Sequence, residues 1–519
     1  MITGFATPDG TRAFTRRFPR LSFNRLGAAH LHVSRAGFGC YRVNAGVIEH
    51  EKALREALSK GVNLIDTSAN YADGGSERLV GGVLEELILS GRINRDQVVV
   101  VSKGGYLQGS NYALSQQRKE DGHPFEEIVE YADGLEHCIH PVFLADQIGR
   151  SLERLGLDVL DGYLLHNPEY YLGWAHKQGL DRGTAQAEYY RRIQRAFDHL
   201  ENEVERGRIR FYGVSSNAFP APVTDPEFTS LHRIWELAET FGSGHHFRLV
   251  QLPFNLFETG AALEKNQPGK STVLDLVCGK RLGLLANRPL NAFTGRRMVR
   301  LAGIEVPTRM DDETTIDRIE SLAASETRLW KTILPGVVGI PDGFKVRVKQ
   351  QACLAETLKH HWRTFGPYER WREVRDGIFL PRIQGVMDFL LPHAGRHPEL
   401  AEWIPAHRKT LEDALRAVAS IYADDAAALE KRVVDMIDRA DDDWAAPGTL
   451  SQKAIRALIS TTGVSAVLVG MRKPAYVADV LDECVRSTPQ AKRLDSWGRL
   501  REGARNLFPD DSHAPAVSR

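Results

Sequence analysis

Asp66, Tyr71, Lys103 and His166 are the side chains of this sequence whose types and spacing point to proton chemistry. A tyrosine hydroxyl, with a pKa of about 10, is a poor acid or base at neutral pH. A lysine ammonium beside it favours the phenolate and lowers that pKa, and an aspartate holds the lysine charged and in place. A histidine on the same rim donates to a substrate oxygen and orients it. Together such a set protonates a carbonyl oxygen while hydride arrives at the carbon. Taken singly, each has a plainer reading: Asp66 as a turn or capping residue, Lys103 as a solvated strand end, His166 as a structural histidine, Tyr71 as packing. Their common placement argues against four coincidences.

That placement comes from the surrounding elements. An apolar run over 62–65 leads straight into Asp66, and Tyr71 follows five residues later. The run 97–102 ends in Lys103, and the run 160–165 ends in His166. Further runs over 37–42, 209–214, 248–252, 282–286 and 465–469 also read as strands. Helical periodicity fills 47–60, 76–90, 143–155, 188–207, 229–241, 271–279, 450–461 and 475–486. Parallel neighbours need crossovers of this length, so the strands share one parallel sheet. Eight strand–helix units predict an α/β fold, the closed (β/α)8 TIM barrel, whose strand ends deliver side chains to one rim. A doubly wound dinucleotide fold would want a glycine-rich turn directly after its first strand. Gly37-Phe38-Gly39 lies within the strand and has no third glycine at the right offset.

Residues 1–290 therefore read as the first part of the barrel with an N-terminal cap, 448–490 as its last units, and 491–519 as a C-terminal tail. Between strand seven and its helix, 291–447 is too long for a structureless loop. Helical stretches over 346–364, 367–377, 381–390, 398–420 and 424–440 predict an insertion subdomain. Rooted at the catalytic face, it would cover the pocket or form a homo-oligomer contact. The stretch 104–141 reads as a long polar loop. Alternation over 20–26 favours a cap on the barrel floor over a transit peptide, despite Arg12, Arg16, Arg17 and Arg20.

Composition narrows the class. Apolar residues make up 42% of the chain and charged residues 26%, enough for a sizeable core. Lys+Arg and Asp+Glu both number 67, which leaves no positive surplus for nucleic acid or an anionic membrane. No apolar run approaches the roughly 18 residues of a spanning helix. Five scattered cysteines without CxxC spacing read as reduced thiols of a cytoplasmic protein. His137-Cys138-Ile139-His140 lacks zinc-ligand spacing, so it reads as substrate contact or loop packing and no metal is expected.

Several segments together resemble the aldo-keto reductase superfamily. They are Gly61-Val62-Asn63-Leu64-Ile65-Asp66-Thr67-Ser68-Ala69-Asn70-Tyr71, the run ending in Lys103, and Leu164-Leu165-His166-Asn167-Pro168. Gly213-Val214-Ser215-Ser216-Asn217, Ala286-Asn287-Arg288-Pro289-Leu290 and Val469-Gly470-Met471-Arg472-Lys473-Pro474 complete the set. The resemblance spans about 20–295 and 445–487, with the motifs in the family's order. It implies Tyr71 as general acid/base, Lys103 and Asp66 as its tuning pair, and His166 as the carbonyl-orienting group. It also implies NADP(H), with NAD(H) as the alternative, lying across the barrel mouth without a Rossmann domain. The carboxamide would be held by Ser215, Ser216 or Asn217 with Gln251, and Asn287, Arg288, Pro289 and Leu290 would lie beside the cofactor. Gly470, Arg472 and Lys473 would meet the adenine-side phosphate; a cationic pair suits a 2′-phosphate. Asn287 stands where the family usually stacks an aromatic ring, and Tyr476 where it often has a basic residue. Tyr170, Tyr171 and Trp174 in the fourth loop would shape the pocket with the third loop. The implied activity is carbonyl–alcohol interconversion on a small substrate. An NAD-linked sugar dehydrogenase and a non-catalytic cofactor-sensing or scaffold barrel acting through its insertion are the alternatives.

Overall fold

Eight parallel strands close into a barrel in the order in which the chain makes them. They are β1 (Ala36–Gly39), β2 (Leu64–Asp66), β3 (Val99–Gly104), β4 (Leu160–His166), β5 (Ile209–Ser215), β6 (Phe247–Pro253), β7 (Gly283–Asn287) and β8 (Val464–Val469). The computed structural model describes residues 1–295, 297–303, 308–486 and 488–508. The barrel helices are α1 (Ile48–Ser59), α2 (Gly75–Leu89), α3 (Pro141–Leu155), α4 (Arg182–Glu205), α5 (Leu231–Glu239), α6 (Val273–Lys280), α7 (Leu450–Ile459) and α8 (Pro474–Cys484). This is the closed barrel that the eight-unit pattern predicts. Local signals set the helix ends. Capping boxes pair Thr272 with Asp275 on α6 and Thr449 with Gln452 on α7, satisfying N–H groups that the first helical turn leaves free. Helix α3 has Pro141 in its first turn and stops at Gly156, whose φ of 64° suits a residue without Cβ.

Strand periodicity explains where the chemistry sits. Residues two apart share a face of a strand. That rule pairs Leu64 with Asp66, Val101 with Lys103, Leu164 with His166, Leu249 with Gln251, and Leu285 with Asn287. The lower member of each pair joins one buried apolar cluster, together with Val99, Ala466 and Leu468. Every upper member is polar and stands toward the C-terminal mouth. The floor is closed by an antiparallel pair, Phe23–Arg25 with His32–Ser34, and Leu26, Leu31 and Val33 extend the same cluster.

The stretch after β3, expected as a long polar loop, is folded. Tyr106–Leu107, Val129–Ala132 and Leu135–His137 form a three-stranded antiparallel sheet, and Ser110–Glu120 is a helix. Its hairpin turns on Asp133-Gly134, a two-residue connection matched to strand twist, with Gly134 at φ 70°. The strands are too short and too polar to stand out by periodicity. Buried Glu136 binds the sheet to the helix by accepting from Ser115 at 2.5 Å, Gln116 at 2.8 Å and Lys119 at 2.6 Å.

The chain divides into two compact units, 1–301 with 436–519, and 302–435. Residues 291–301, expected to open the insertion, belong to the first unit and contain the hairpin Asn291–Thr294 with Arg297–Arg300. The second unit is helical, with a core that includes Leu322, Trp371, Leu390, Trp403 and Leu415. Its helix Asp312–Arg328 is absent from the expected set, and the stretches 398–420 and 424–440 are parts of one helix, Pro398–Ala440. Part of the expected C-terminal tail is also ordered: Leu494–Leu507 is a helix that buries Trp497 and Leu500, three residues apart on one face. Trp497 packs on Phe254 at 4.5 Å and Trp444 at 5.0 Å. Residues 509–519 of that tail lie outside the described residues. Among the described residues no helix is long and apolar enough to cross a membrane.

Candidate active site

Lys103 is fully buried and commits its ammonium to three acceptors. Asp66 Oδ1 and Oδ2 each accept at 2.7 Å, and the Thr67 carbonyl accepts at 2.9 Å. Gln251 Nε2 donates to Asp66 Oδ1 at 2.7 Å. The polar layer of the barrel therefore holds its ions paired, as a dry interior requires. Tyr71 follows on a tight turn in which Ala72, Asp73 and Gly74 have φ of 50°, 51° and 77°. Left-handed backbone costs a non-glycine residue about 1–2 kcal/mol, so surrounding contacts hold the turn. Asp73 provides two: its Oδ1 accepts from the Ser110 backbone at 3.0 Å and the Ser110 hydroxyl at 2.7 Å. The Tyr71 ring centroid lies 5.3 Å from that of Tyr41, 5.9 Å from that of His166, and 5.0 Å from Lys103 Nζ.

The expected lowering of the Tyr71 pKa by Lys103 is corrected here. Burial pushes the hydroxyl well above its usual value, and the Asp66 carboxylate adds to the effect. The physical reason is that a buried phenolate loses the water that would stabilise it, and the Asp66 carboxylate, Tyr41 and Cys40 repel its charge. Tyr71 is protonated at neutral pH.

His166 is also held in one state. Burial, then the charge of Lys103 and the neighbouring His137, drives its pKa well below the usual imidazole value, so the ring is neutral. Its Nδ1 lies 3.1 Å from Ser68 Oγ. His137 Nε2 donates to the His166 carbonyl at 2.7 Å. A Cβ on Gly105 would come within 2.7 Å of both His137 Nε2 and the His166 carbonyl, so only glycine lets the third loop approach this closely. The small sheet brings Tyr106 edge-on to His166 at 4.7 Å and to Tyr170 at 5.3 Å, while Tyr170 stacks on Tyr131 at 4.3 Å. Of the fourth-loop aromatics, Tyr170 joins this cluster. Tyr171 instead lies under the Arg192 guanidinium at 4.2 Å, and Trp174 packs beside Tyr171. His140 caps α3, its Nδ1 accepting from Val142 N at 3.3 Å. The described residues contain no group of three or more His, Cys, Asp or Glu placed to hold a metal ion.

The residues expected around a cofactor fall in two places. Ser215 Oγ donates to Gln251 Oε1 at 3.0 Å, and Ser216 N donates to the Gln251 carbonyl at 3.0 Å. Asn217 N donates to Glu169 Oε1 at 2.7 Å. Asn287 Nδ2 reaches Gln251 Oε1 at 3.4 Å, while its buried Oδ1 has no partner. Arg288, in left-handed backbone at φ 54°, is ion-paired with Glu258 at 2.7 Å. Pro289 is buried, and the Leu290 carbonyl accepts from Leu301 N at 2.9 Å. The second place is the start of α8, where Gly470 and Lys473 are exposed and Arg472 is half-buried. Lys473 Nζ is 3.9 Å from Glu49.

Sequence reasoning missed Tyr41, Ser68, Asn70, Tyr106, Gln108, Asn167 and Glu169. Buried Asn167 has φ 52°, a conformation that asparagine tolerates, and its N–H reaches the Ser215 carbonyl at 2.7 Å. Glu169 accepts from Asn167 Nδ2 at 3.2 Å and is pushed by burial to a pKa of about 8. The Asn167-Pro168 turn directly after His166 was the available signal.

A family model described as the aldo/keto reductase family matches residues 38–224, which run from the end of β1 through β5 and include Asp66, Tyr71, Lys103 and His166. The oxidoreductase YqkF of Bacillus subtilis (strain 168), whose function is uncharacterized, is 26% identical over 192 residues, 37% of this chain and 48% of its own length. An NADH-specific methylglyoxal reductase of Escherichia coli (strain K12) is 31% identical over 149 residues, 27% of this chain and 40% of its own. The chain thus spans about half or less of the length of these relatives. A solved aldo-keto reductase from Bacillus halodurans, in its holo form, aligns over 96% of this chain and 98% of its own, with 14% identity and a TM-score of 0.43.

Proposed function

We propose that this chain, whose residues 38–224 match the aldo/keto reductase family, is an NAD(P)H-linked oxidoreductase interconverting a small aldehyde or ketone and its alcohol. The observation that carries the reading is the buried Asp66–Lys103 pair below Tyr71, with neutral His166 on the same rim. A reduced nicotinamide, when bound, would supply hydride for the carbonyl carbon. Tyr71 delivers its proton to the carbonyl oxygen as the C–O double bond becomes single, and solvent reprotonates the phenolate. Neutral His166 orients that oxygen by hydrogen bonding, without placing a second charge in the mouth. Asp66 keeps Lys103 at a fixed position near the Tyr71 ring, where its positive end favours the developing phenolate.

The residues present fit a nicotinamide cofactor. Ser215, Gln251 and Asn287 form a polar patch beside Asp66, and the unpartnered Asn287 Oδ1 is an acceptor suited to a carboxamide N–H. Arg472 and Lys473 at the start of α8 suit a phosphate, where helix N–H groups add to side-chain charge. This favours NADPH. Glu49 beside Lys473, and the NADH specificity in the name of the Escherichia coli relative, support NADH as the second reading.

The test is titration of the purified chain with NADPH and with NADH by tryptophan fluorescence, followed by a carbonyl panel with Tyr71→Phe as control. Binding of either cofactor and turnover that falls about 10²–10⁴-fold in Tyr71→Phe, with cofactor affinity kept, is expected. Absence of binding by both cofactors would remove the proposal's basis.

A further inference from the structure

We propose that a cavity at the barrel floor, beside the N-terminal end of β6, is a binding site for a small aromatic carboxylate. The site lies at the opposite end of the strands from Asp66, Lys103 and His166, and it is independent of the carbonyl-reduction reading. The cavity measures about 410 Å³. Its walls include Trp235 and Glu239 of α5, Ser243 and His245 of the turn that follows, Arg248 of β6 and Lys280 of α6. Ligand cavities span about 300–1,000 Å³, so this one suits a single ring or a fused pair.

Arg248 sets the charge of the ligand. It is half-buried, and burial lowers its pKa. Its Nη1 donates to the Phe247 carbonyl at 2.9 Å and to His245 Nδ1 at 3.3 Å, both uncharged acceptors. Among the described residues no carboxylate oxygen lies within 4.0 Å of its side-chain nitrogens. The carboxylate whose field reaches it, Glu201, is already engaged by Tyr212 at 2.8 Å and by His246 Nδ1 at 2.6 Å. The remaining charges at the cavity answer each other, with Lys280 Nζ 3.4 Å from Glu239 Oε1. A guanidinium drawn out of water without a counterion is costly, and a carboxylate matches its planar fork bidentately. His245 supplies a second donor. Burial, then the Arg248 charge, lowers its pKa, so the ring is neutral. A guanidinium cannot accept, so Nδ1 is the acceptor and the one ring hydrogen sits on Nε2.

Trp235 sets the shape. His245 meets its indole edge-on at 5.0 Å, Phe247 does so at 6.3 Å, and Lys280 Nζ lies 4.9 Å from the ring centroid. These contacts hold the indole plane, which offers a flat surface for a second ring. A cationic ligand would be repelled by Arg248 and would compete with Lys280 for the indole. An inorganic anion would answer Arg248 but leave the indole uncovered.

The test reads Trp235 itself. The full chain, labelled with 5-fluorotryptophan, is titrated with sodium benzoate by fluorine NMR, and the Trp235 signal is assigned by its loss in Trp235→Phe. Benzoate is expected to shift that signal saturably, with a Kd below about 1 mM. Benzamide has the ring without the charge, and inorganic phosphate the charge without the ring. Both should bind roughly tenfold or more weakly than benzoate. Arg248→Met, shown to be folded by its melting transition, should lose the benzoate shift. Unchanged binding in Arg248→Met, benzamide or phosphate binding as tightly as benzoate, or no Trp235 shift by about 10 mM benzoate overturns the proposal. The three-ligand comparison uses the unaltered chain, so it decides the matter even where the variant fails to fold.

Discussion

Asp66→Asn should open the barrel mouth by leaving the Lys103 ammonium buried without its counterion. The wild-type cation is fully buried and receives two charge-assisted contacts of 2.7 Å from the carboxylate, with the neutral Thr67 carbonyl as its third partner. Removing one partner of such a buried pair costs about 3–5 kcal/mol, chiefly because the remaining charge is stranded. Removing both charges is far milder, so Asp66→Asn with Lys103→Met should recover most of the loss. At about 1.4 kcal/mol per tenfold, the single variant should speed exchange of protected amides by roughly a hundredfold to a few thousandfold. Hydrogen exchange read by mass spectrometry at the Thr67 and Ala69 amides reports on the right place. Those N–H groups donate to the Val101 and Lys103 carbonyls at 2.9 and 3.1 Å. A change under about 1 kcal/mol in the single variant, or a double variant as unstable as the single, would refute the claim that Asp66 is what allows a lysine here. The double variant should fold yet fail to turn over, which separates the pair's structural role from its catalytic one.

Two further predictions follow from the titrating groups. Burial raises the pKa of Tyr71, Tyr106 and Tyr189 well above the usual tyrosine value. Their stabilising contribution is complete below pH of about 10 and is lost as pH rises beyond it, since the unfolded chain then releases protons that the folded chain keeps. Ultraviolet difference absorbance should show these tyrosinates appearing only as the chain unfolds; earlier, separate ionisation would contradict the burial argument. In the helical unit, buried Glu326 accepts from the Leu354 and Ala355 N–H groups, and burial pushes its pKa from 4.5 to about 7. Its raised value means the contribution is full below pH 4.5 and is lost as pH rises through about 7. Glu326→Gln should flatten that slope in the unfolding of this unit, and an unchanged slope would exclude Glu326 as its source.

How much of this was legible in the sequence depended on the range of the forces involved. The barrel strands were readable because burial on both faces demands uninterrupted apolar runs, and the helices between them because one buried stripe demands a 3.6-residue period. The run 160–165 ending in His166 needed no tertiary information to be recognised. The third loop was opaque for the opposite reason: strands of two to four residues with one polar face leave almost no periodic trace. Only the Asp133-Gly134 turn betrayed them. Trp497 and Leu500 were likewise readable as one helical face, yet the tail's helix is stabilised by contacts to Phe254 and Trp444 far away in the chain.

By itself, the sequence determined that Asp66, Lys103 and His166 would share one rim, because each ends one of three successive strands of a parallel barrel. Tertiary structure alone decided what those residues are. Spacing places a lysine near a tyrosine, but burial of the hydroxyl and the nearby Asp66 carboxylate determine that Tyr71 stays protonated. It also decided that His137 and Tyr106 converge on His166, since loop approach depends on packing and on a missing Cβ at Gly105 rather than on any repeat in the chain. Proton affinity follows desolvation and neighbouring charge, which are properties of the folded interior and not of residue order.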